Sequence, residues 1–303
     1  MEVPVFLGLA AALLTAVCQS AADIGTKAAT RRVEDSIVLA TQWCVAGVLL
    51  TAACVVAWPQ LLRDPVAALG ALTRDDFGLL VAAGGALNAV AYYFFVRAFR
   101  LADASLVAPI VLTTPALLLV TSPIMVGEHV PPLGAFGVLL CVAGAVVLAM
   151  SEPGATKRAS LSAFVRDPGA RAMLATASIW SVTANIDKLG VRASSPLLWI
   201  AALSDAIALL SIAALLLGGG SRPASWRALA PALAAGIANA LGNGVQMFAL
   251  TVLPVPYVIA VKRMSALFTV GAAAVMLKED IRGRLLGAAI MLAGAGVVAF
   301  AQR

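Results

Sequence analysis

Long apolar stretches alternate with short polar breaks along almost the whole chain. A helix that crosses a bilayer needs about 20 mostly apolar residues. Ten such stretches, each bounded by charged residues or by proline and glycine, lie near residues 4–23, 36–58, 77–98, 104–126, 132–150, 172–190, 195–217, 229–252, 254–277 and 283–301. This pattern predicts an all-α integral membrane protein with ten transmembrane helices.

Composition supports that prediction and excludes several kinds of site. Hydrophobic residues make up 62% of the 303 residues and charged residues 12%, against about 45–50% and 25% in a typical soluble domain. Four cysteines lie inside apolar stretches without the spacing of metal ligands, so we expect free buried thiols: Cys18, Cys44, Cys54 and Cys141. With His129 as the single histidine, we expect no metal and no cofactor.

The net charge and the N-terminus add two further expectations. The formal charge is +6, but the basic residues are spread over short loops, so a nucleic-acid partner is not implied. The first apolar stretch has no preceding basic residues and follows Met1, Glu2 and Val3. We therefore read it as a retained membrane span and not as a cleaved signal peptide.

The two halves of the chain resemble each other. A shift of 151 residues places Asn88 on Asn239 and Glu128 on Glu279, and a shift of 150 places Gly137 on Gly287 and Gly144 on Gly294. The predicted domains are a five-helix repeat at 1–150, a linker at 151–171 and a second five-helix repeat at 172–303. Because five is odd, the second repeat enters the membrane in the opposite sense, and inverted repeats of this kind hold substrate near the midplane between them.

Two adjacent cations lie in the interior of the ninth stretch. Lys262 and Arg263 interrupt an apolar run, at a cost of roughly 2.5–3.5 kcal/mol each at a helix centre. Such residues usually face a polar cavity, a counter-charge or a substrate, so they are candidate substrate-binding residues. The alternative is that both side chains snorkel or pair with a carboxylate and only hold helices together.

Polar side chains also lie on one face of the eighth stretch. The spacing i, i+4, i+7 puts three carboxamides on one side of a helix: Asn239, Asn243 and Gln246. The repeat equivalents of the first two are Asn88 and Tyr92, and Trp180 in the sixth stretch can stack on a ligand. We predict that these residues bind substrate; the alternative is interhelical hydrogen bonding, worth about 0.6 kcal/mol per bond.

One carboxylate lies near the middle of the seventh stretch. Asp205 is costly there if unpaired, so we expect it to pair with Arg263; the alternative is a role in proton coupling. Two other features bear on gating. The fourth stretch contains Pro109 and Pro115, which predict a kink, and the glutamates Glu128 and Glu279 are expected to anchor helix ends or act as gate residues.

The chain resembles a known family. The segments GEHVPPLGAFGVLLCVAGAVVLA and KEDIRGRLLGAAIMLAGAGVVAFA are similar to the last-helix signatures of the two EamA repeats in the drug/metabolite transporter superfamily. The resemblance covers nearly the whole chain and implies export of an amino acid or related metabolite. The motif VKRMSALFTV is also similar to the Lys-Arg pair of the plastid phosphate translocators, where it implies phosphate binding at Lys262 and Arg263.

The orientation in the membrane is left open by the sequence. The connections after the odd-numbered stretches contain 14 basic residues and the opposite side contains 5. The positive-inside rule therefore predicts termini outside the cell, whereas the family resemblance implies termini in the cytoplasm.

Together these observations predict a secondary transporter in the plasma membrane, bacterial inner membrane by analogy, that moves a small polar, anionic metabolite by alternating access. An exchanger or importer of a phosphorylated metabolite is the alternative. An integral-membrane enzyme or lipid-handling protein is a third possibility, but no HExxH motif or paired histidines support enzymology. The expected partners are a small-molecule substrate, the lipid bilayer and protons as a coupling ion; the oligomeric state is not predicted.

Overall fold

The computed structural model describes residues 3–102, 104–151, 167–218, 225–277 and 284–302, and these form α-helices without a strand. The helices are α1 (Val3–Thr30), α2 (Asp35–Ala57), α3 (Gln60–Arg63), α4 (Pro65–Leu72), α5 (Phe77–Leu101), α6 (Ala104–Val111), α7 (Thr114–Val126), α8 (Pro132–Met150), α9 (Pro168–Ala193), α10 (Pro196–Leu217), α11 (Ala230–Val252), α12 (Val255–Lys262), α13 (Ser265–Leu277) and α14 (Leu285–Phe300). A 3₁₀ turn at Trp226–Leu229 precedes α11.

Eight segments of the described chain are long and apolar enough to cross a membrane. The other two predicted spans are also helical. Helix α9 is 26 residues long but carries four charged side chains: Arg171, Asp187, Lys188 and Arg192. Helix α14 is apolar, but its 16 described residues are fewer than the roughly 20 that a span needs. The all-helical membrane architecture is therefore observed, while a count of ten spans remains a prediction.

Two predicted boundaries differ from the observed ones because charged residues do not end these helices. Helix α1 continues to Thr30, beyond the predicted end at residue 23, with Asp23 and Lys27 inside it. Helix α9 starts at Pro168, before the predicted start at residue 172, where the Asp167 carboxylate caps it by accepting a hydrogen bond from the Ala170 amide at 2.7 Å. Proline at the first helical position suits such a start.

The two halves interlock. Helix α1, the first of its half, packs along α11 of the second half, and α9, the first of the second half, packs along α5 of the first. The second span of each half meets its equivalent, α2 against α10, and so does the last, α8 against α14. Equivalent helices thus make equivalent contacts across the interface between the halves.

Glycines allow α8 and α14 to approach closely. A Cβ built on Gly144 would lie 2.5 Å from the Met291 amide nitrogen, and one on Gly294 would lie 2.6 Å from the Cys141 amide nitrogen. A Cβ on Gly287 would lie 2.6 Å from the Leu148 amide nitrogen, and one on Gly137 would lie 2.9 Å from the Val298 amide nitrogen. Small residues at membrane helix interfaces permit this backbone contact, which gives a physical reason for the repeated glycines.

The fourth and ninth predicted spans are both broken in the middle. Helices α6 and α7 have 8 and 13 residues and are separated by residues 112–113, and α12 and α13 have the same two lengths and are separated by residues 263–264. The two breaks map onto each other after a shift of 151 residues, since 112–113 falls on 263–264. Interrupted helices at corresponding positions of two repeats mark the binding site of many transporters.

Candidate functional site

The break between α6 and α7 follows from proline and threonine. Pro115 has no amide hydrogen, so it cannot donate to the Val111 carbonyl one turn earlier. The Thr114 hydroxyl donates to that carbonyl instead, at 2.6 Å, and the Thr113 hydroxyl donates to the Ile110 carbonyl at 2.6 Å. The first break is therefore uncharged and satisfies its own backbone groups.

The break between α12 and α13 directly follows Lys262, contains Arg263 and has no proline. Its backbone tightens to a 3₁₀-type turn, in which the Met264 amide donates to the Val261 carbonyl at 2.9 Å. Lys262 ends α12, and its ammonium donates to the Gln246 side-chain oxygen on α11 at 2.6 Å. Lys262 is half-buried and Gln246 is buried, so a charge-assisted hydrogen bond lies inside the bundle.

The two breaks contact each other. The Arg263 guanidinium donates through Nη2 to the Thr114 hydroxyl oxygen at 3.2 Å. Its Nε atom is buried and has no hydrogen-bond partner among the described residues. A buried donor that lacks a partner costs about 1–3 kcal/mol, so Arg263 keeps unused capacity to bind an acceptor.

Two carboxylates near the cations were not among the predicted site residues. Asp23 on α1 and Asp187 on α9 both act electrostatically on Lys262, and Asp23 also acts on Arg263. Asp23 accepts a hydrogen bond from the side-chain amide of Gln19 at 2.8 Å, and Asp187 accepts one from the Trp199 indole at 3.1 Å. In the sequence, Asp187 lies inside the sixth apolar stretch, where a charge is expensive. Asp23 lies at the predicted end of the first stretch, so no comparable signal marked it in the sequence.

The three carboxamides of α11 have different surroundings. Gln246 binds Lys262, as described above. Asn239 donates to the Gln42 side-chain oxygen on α2 at 3.4 Å, which is the interhelical bond that the sequence left as an alternative. Asn243 is half-buried, and the described residues offer it no hydrogen-bond partner.

The predicted residues on α5 and α9 form an aromatic group. The Tyr92 ring lies edge-on to Trp180 with centroids 5.8 Å apart and edge-on to Trp43 at 5.9 Å. Trp180 also contacts Phe95 at 5.4 Å. Asn88 lies one turn before Tyr92 and donates to the Gly84 carbonyl of its own helix at 2.9 Å. The side-chain amide of Asn88 is therefore hydrogen-bonded within its own helix.

The structure does not bring Asp205 to Arg263. Thr51 on α2 donates to the Asp205 carboxylate at 2.7 Å, and no ion pair between Asp205 and Arg263 forms in the described part of the chain. Helix α10 packs on α2 and α5, whereas α12 packs on α1, α7 and α8. The predicted ion pair between Asp205 and Arg263 is therefore wrong. A proton-coupling role for Asp205 stays a prediction.

A second charged cluster lies at the N-terminal end of α12. The Glu128 carboxylate forms ion pairs with Lys188 at 2.8 Å and Arg192 at 3.3 Å, and it accepts a hydrogen bond from the Val255 amide at 2.8 Å. Lys188 also donates to the Leu253 carbonyl at 3.1 Å. One carboxylate of the first half thus holds two cations and a helix N-terminus of the second half, while Glu279 lies outside the described residues.

The comparisons with known proteins agree with this architecture. The EamA-like transporter family matches residues 6–150 and 167–300. A solved crystal structure with 22% sequence identity superposes with a TM-score of 0.74, covering 98% of this chain and 95% of its own chain; at that identity it supports the fold alone. The search of curated proteins found no significant match. Since the family match extends over both halves, the chain belongs to the EamA-like transporter family, and it is a multi-pass membrane transporter of the drug/metabolite superfamily.

Proposed function

We propose that this protein is a ten-span secondary transporter that exports a small, carboxylate-bearing polar metabolite, an amino acid or related compound, across the plasma membrane by alternating access. The observation that carries the proposal is the pair of broken helices, which places Lys262 and Arg263 at the contact between the two repeats. Transporters of inverted-repeat design bind substrate at such a point.

The cations supply the anion preference. Lys262 donates its hydrogen bond to a neutral carboxamide, that of Gln246. Arg263 donates to a neutral hydroxyl, that of Thr114. A substrate carboxylate can replace either neutral acceptor, and it then adds charge–charge attraction to a bond that already has a cationic donor. Asn243 and Trp180 lie on neighbouring helices and would orient the remainder of the substrate.

The neighbouring carboxylates favour an amino acid over a phosphorylated compound. Asp23 and Asp187 lie close enough to act on Lys262. They would attract the ammonium group of an amino acid and would repel the second negative charge of a phosphate monoester. The structure therefore offers no observation that favours the exchanger of phosphorylated metabolites, which remains an outcome of the test below.

Alternating access also has a structural basis in this proposal. The Glu128 cluster joins the two halves on one side of the Lys262 site. Opening that side would require the ion pairs with Lys188 and Arg192 to separate. Protons are proposed as the coupling ion, and the carboxylates closest to the cations, Asp23 and Asp187, are better placed for that role than Asp205.

The test is thermal unfolding of the purified protein against a panel of amino acids, other carboxylates and phosphate esters. A ligand that binds only the folded protein at 100 times its Kd stabilises it by about 2.7 kcal/mol. We expect amino acids to raise the melting temperature of the wild type and of Lys27→Ala, in which an exposed lysine is removed, but not of folded Lys262→Ala. Counterflow in liposomes then checks that the stabilising compound is carried.

Phosphate esters that stabilise the protein when amino acids do not would replace the amino-acid proposal by its rival. A Lys262→Ala protein that responds as the wild type does would assign Lys262 a purely structural role. Product formation from the compound, without counterflow, would instead indicate an enzyme.

A further inference from the structure

Exposed basic side chains collect at one end of the bundle, which we call the basic face. In the part of the chain that the structure describes, six exposed cations lie there: Lys27, Arg31, Arg32, Arg97, Arg171 and Arg227. Only three described acidic residues accompany them: Glu34, Asp35 and Asp167. At the opposite end, four described basic and four acidic residues balance each other: Arg63, Arg74, Lys188, Arg192, Asp64, Asp75, Asp76 and Glu128.

Helix packing brings the basic residues to the same end. Helix α1 ends against the start of α11, where a Cβ built on Gly25 would lie 3.0 Å from the Pro231 carbonyl oxygen. Helix α9 starts against the end of α5, where a Cβ built on Gly169 would lie 2.9 Å from the Ala98 carbonyl oxygen. Helix α10 begins after the far end of α9, and Leu215 near its own end packs with residues of α1 and α11. The four helix ends therefore lie on one face.

Two arginines of the basic face lie against exposed aromatic rings. Arg97 donates through Nη1 to the Tyr93 hydroxyl oxygen at 2.7 Å, and its Cζ atom lies 5.9 Å from the centroid of that ring. The Cζ atom of Arg227 lies 5.7 Å from the centroid of Trp226. Tyr93 is 58% exposed and Trp226 is 72% exposed.

Both rings lie at the boundary of an apolar span. The span of α5 ends at Phe95, two residues after Tyr93, and the span that includes α11 begins at Trp226. Tyrosine and tryptophan at such a boundary place their rings at the level of the lipid headgroups. The guanidinium groups beside them are therefore held at the depth of lipid phosphates.

These cations keep hydrogen-bonding capacity. Among the described residues, none of the six forms an ion pair, since the ion pairs observed there involve Lys188 and Arg192 with Glu128. A guanidinium has five N–H donors, and the bond to Tyr93 uses one donor of Arg97. The remaining donors match the geometry of a phosphate group, which a guanidinium can bind through two parallel bonds.

We propose that the basic face binds the headgroups of anionic phospholipids, with phosphates at Arg97 and Arg227 and the adjoining acyl chains against Tyr93 and Trp226. Charge selects this occupant over a zwitterionic lipid, because each lysine or arginine near an anionic bilayer surface strengthens binding about fivefold. A soluble anion has no apolar part for the two rings, and an acidic protein would contact the charges without reaching the span boundary. The inference is independent of the function proposed for the Lys262 site.

The test is lipid binding to the purified, delipidated protein in a neutral detergent, measured by native mass spectrometry. Phosphatidylglycerol and phosphatidylcholine with identical acyl chains are the probes. We expect the wild type to bind phosphatidylglycerol about tenfold more tightly than phosphatidylcholine. Arg97→Gln combined with Arg227→Gln should remove most of that preference. Arg63→Gln combined with Arg74→Gln removes two exposed arginines from the opposite end and should leave the preference unchanged.

Two further measurements separate a lipid from other anions. Tyr93→Ala combined with Trp226→Ala keeps every charge and should still weaken phosphatidylglycerol binding, while glycerol phosphate at the concentration of the lipid should not compete. Raising ammonium acetate from about 0.05 M to about 0.5 M screens exposed charges. It should weaken binding of phosphatidylglycerol and not of phosphatidylcholine, so it decides the matter without any variant.

Four outcomes overturn the inference. They are equal binding of the two lipids by the wild type, equal losses in the two arginine double variants, full binding by the variant without the rings, and displacement of the lipid by glycerol phosphate. The last result would assign the basic face to soluble phosphates.

Discussion

The two helix breaks share one backbone design and differ in chemistry. Both interrupt a span between an eight-residue and a thirteen-residue helix. In the first half, Pro115 prevents a helical hydrogen bond and two threonine hydroxyls satisfy the freed carbonyls. In the second half, the break itself has no proline; Lys262 precedes it and Arg263 lies in it.

The difference shows that the repeat determines where the backbone is broken, whereas the side chains of each copy determine what that break can bind. The two threonine hydroxyls of the first break donate to carbonyls of their own half, and Thr114 accepts a hydrogen bond from Arg263. The first break therefore supports the second through Thr114. The charged break holds its polar groups by single bonds to neutral partners. The following predictions test that division of roles.

The largest effect is expected at the anchor of the charged break. Glu128→Gln leaves Lys188 buried without its counter-charge and weakens the bond to the Val255 amide, so we expect unfolding to become easier by about 3–5 kcal/mol. Arg192→Gln is the matched control, because the Arg192 side chain is 46% exposed and exposed pairs contribute about 0–1 kcal/mol. Denaturant unfolding in detergent measures both; equal losses would show that the anchor is not specific to Lys188 and Val255.

The next effect compares equivalent positions in the two breaks. Lys262→Met keeps the length of the side chain and removes the charge, so we expect counterflow to fall about 100-fold, which corresponds to about 3 kcal/mol. Val111 occupies the equivalent position in the first half, and Val111→Ala should change counterflow less than threefold. Similar losses at both positions would contradict the division of roles.

A smaller effect is expected at the bond between the breaks. Arg263→Gln should reduce counterflow about tenfold, since bonds to charged groups contribute about 1.5–3 kcal/mol. Thr114→Val removes the acceptor of the same bond. In a double-mutant cycle the two substitutions should therefore be less than additive; strict additivity would show that Arg263 and Thr114 act separately.

The smallest effect concerns the proline itself. Pro115→Ala restores an amide that can donate to the Val111 carbonyl, so we expect the first break to stiffen and counterflow to slow about two- to fivefold. Ala266→Pro is the reverse change at the equivalent position and removes one bond, from the Ala266 amide to the Arg263 carbonyl at 3.2 Å. It should be tolerated, because the helix is already broken there. A folded but inactive Ala266→Pro would show that this bond is required.

The features that the sequence predicts are those that depend on local pattern. Apolar length located the helices, and the glycines at equivalent positions supported the repeat. That these glycines lie at the contact of α8 with α14 is a finding of the structure. Lys262 and Gln246 were both predicted to bind substrate, and the structure shows a hydrogen bond between them. The repeat could have yielded one more prediction, since the shift of 151 residues carries the proline break onto residues 263–264, where no local signal for a break exists.

The features that the sequence did not predict depend on how helices are rotated and paired. Asp205 and Arg263 have complementary charges, but α10 and α12 lie in different parts of the bundle. Asp187 lies about 100° around α9 from Lys188. The polar face that includes Lys188 therefore does not include Asp187. Such contacts between distant segments are set by packing and not by spacing.

Helix α12 has a mechanical consequence. It is eight residues long, with Val255 bound to Glu128 at one end and Lys262 bound to Gln246 at the other. A helix of that length behaves as a strut of about 11 Å, so a ligand that draws Lys262 away from Gln246 also strains the joint at Glu128. Thermodynamic reciprocity then applies: the factor by which a ligand loosens that joint is the factor by which loosening the joint tightens the ligand.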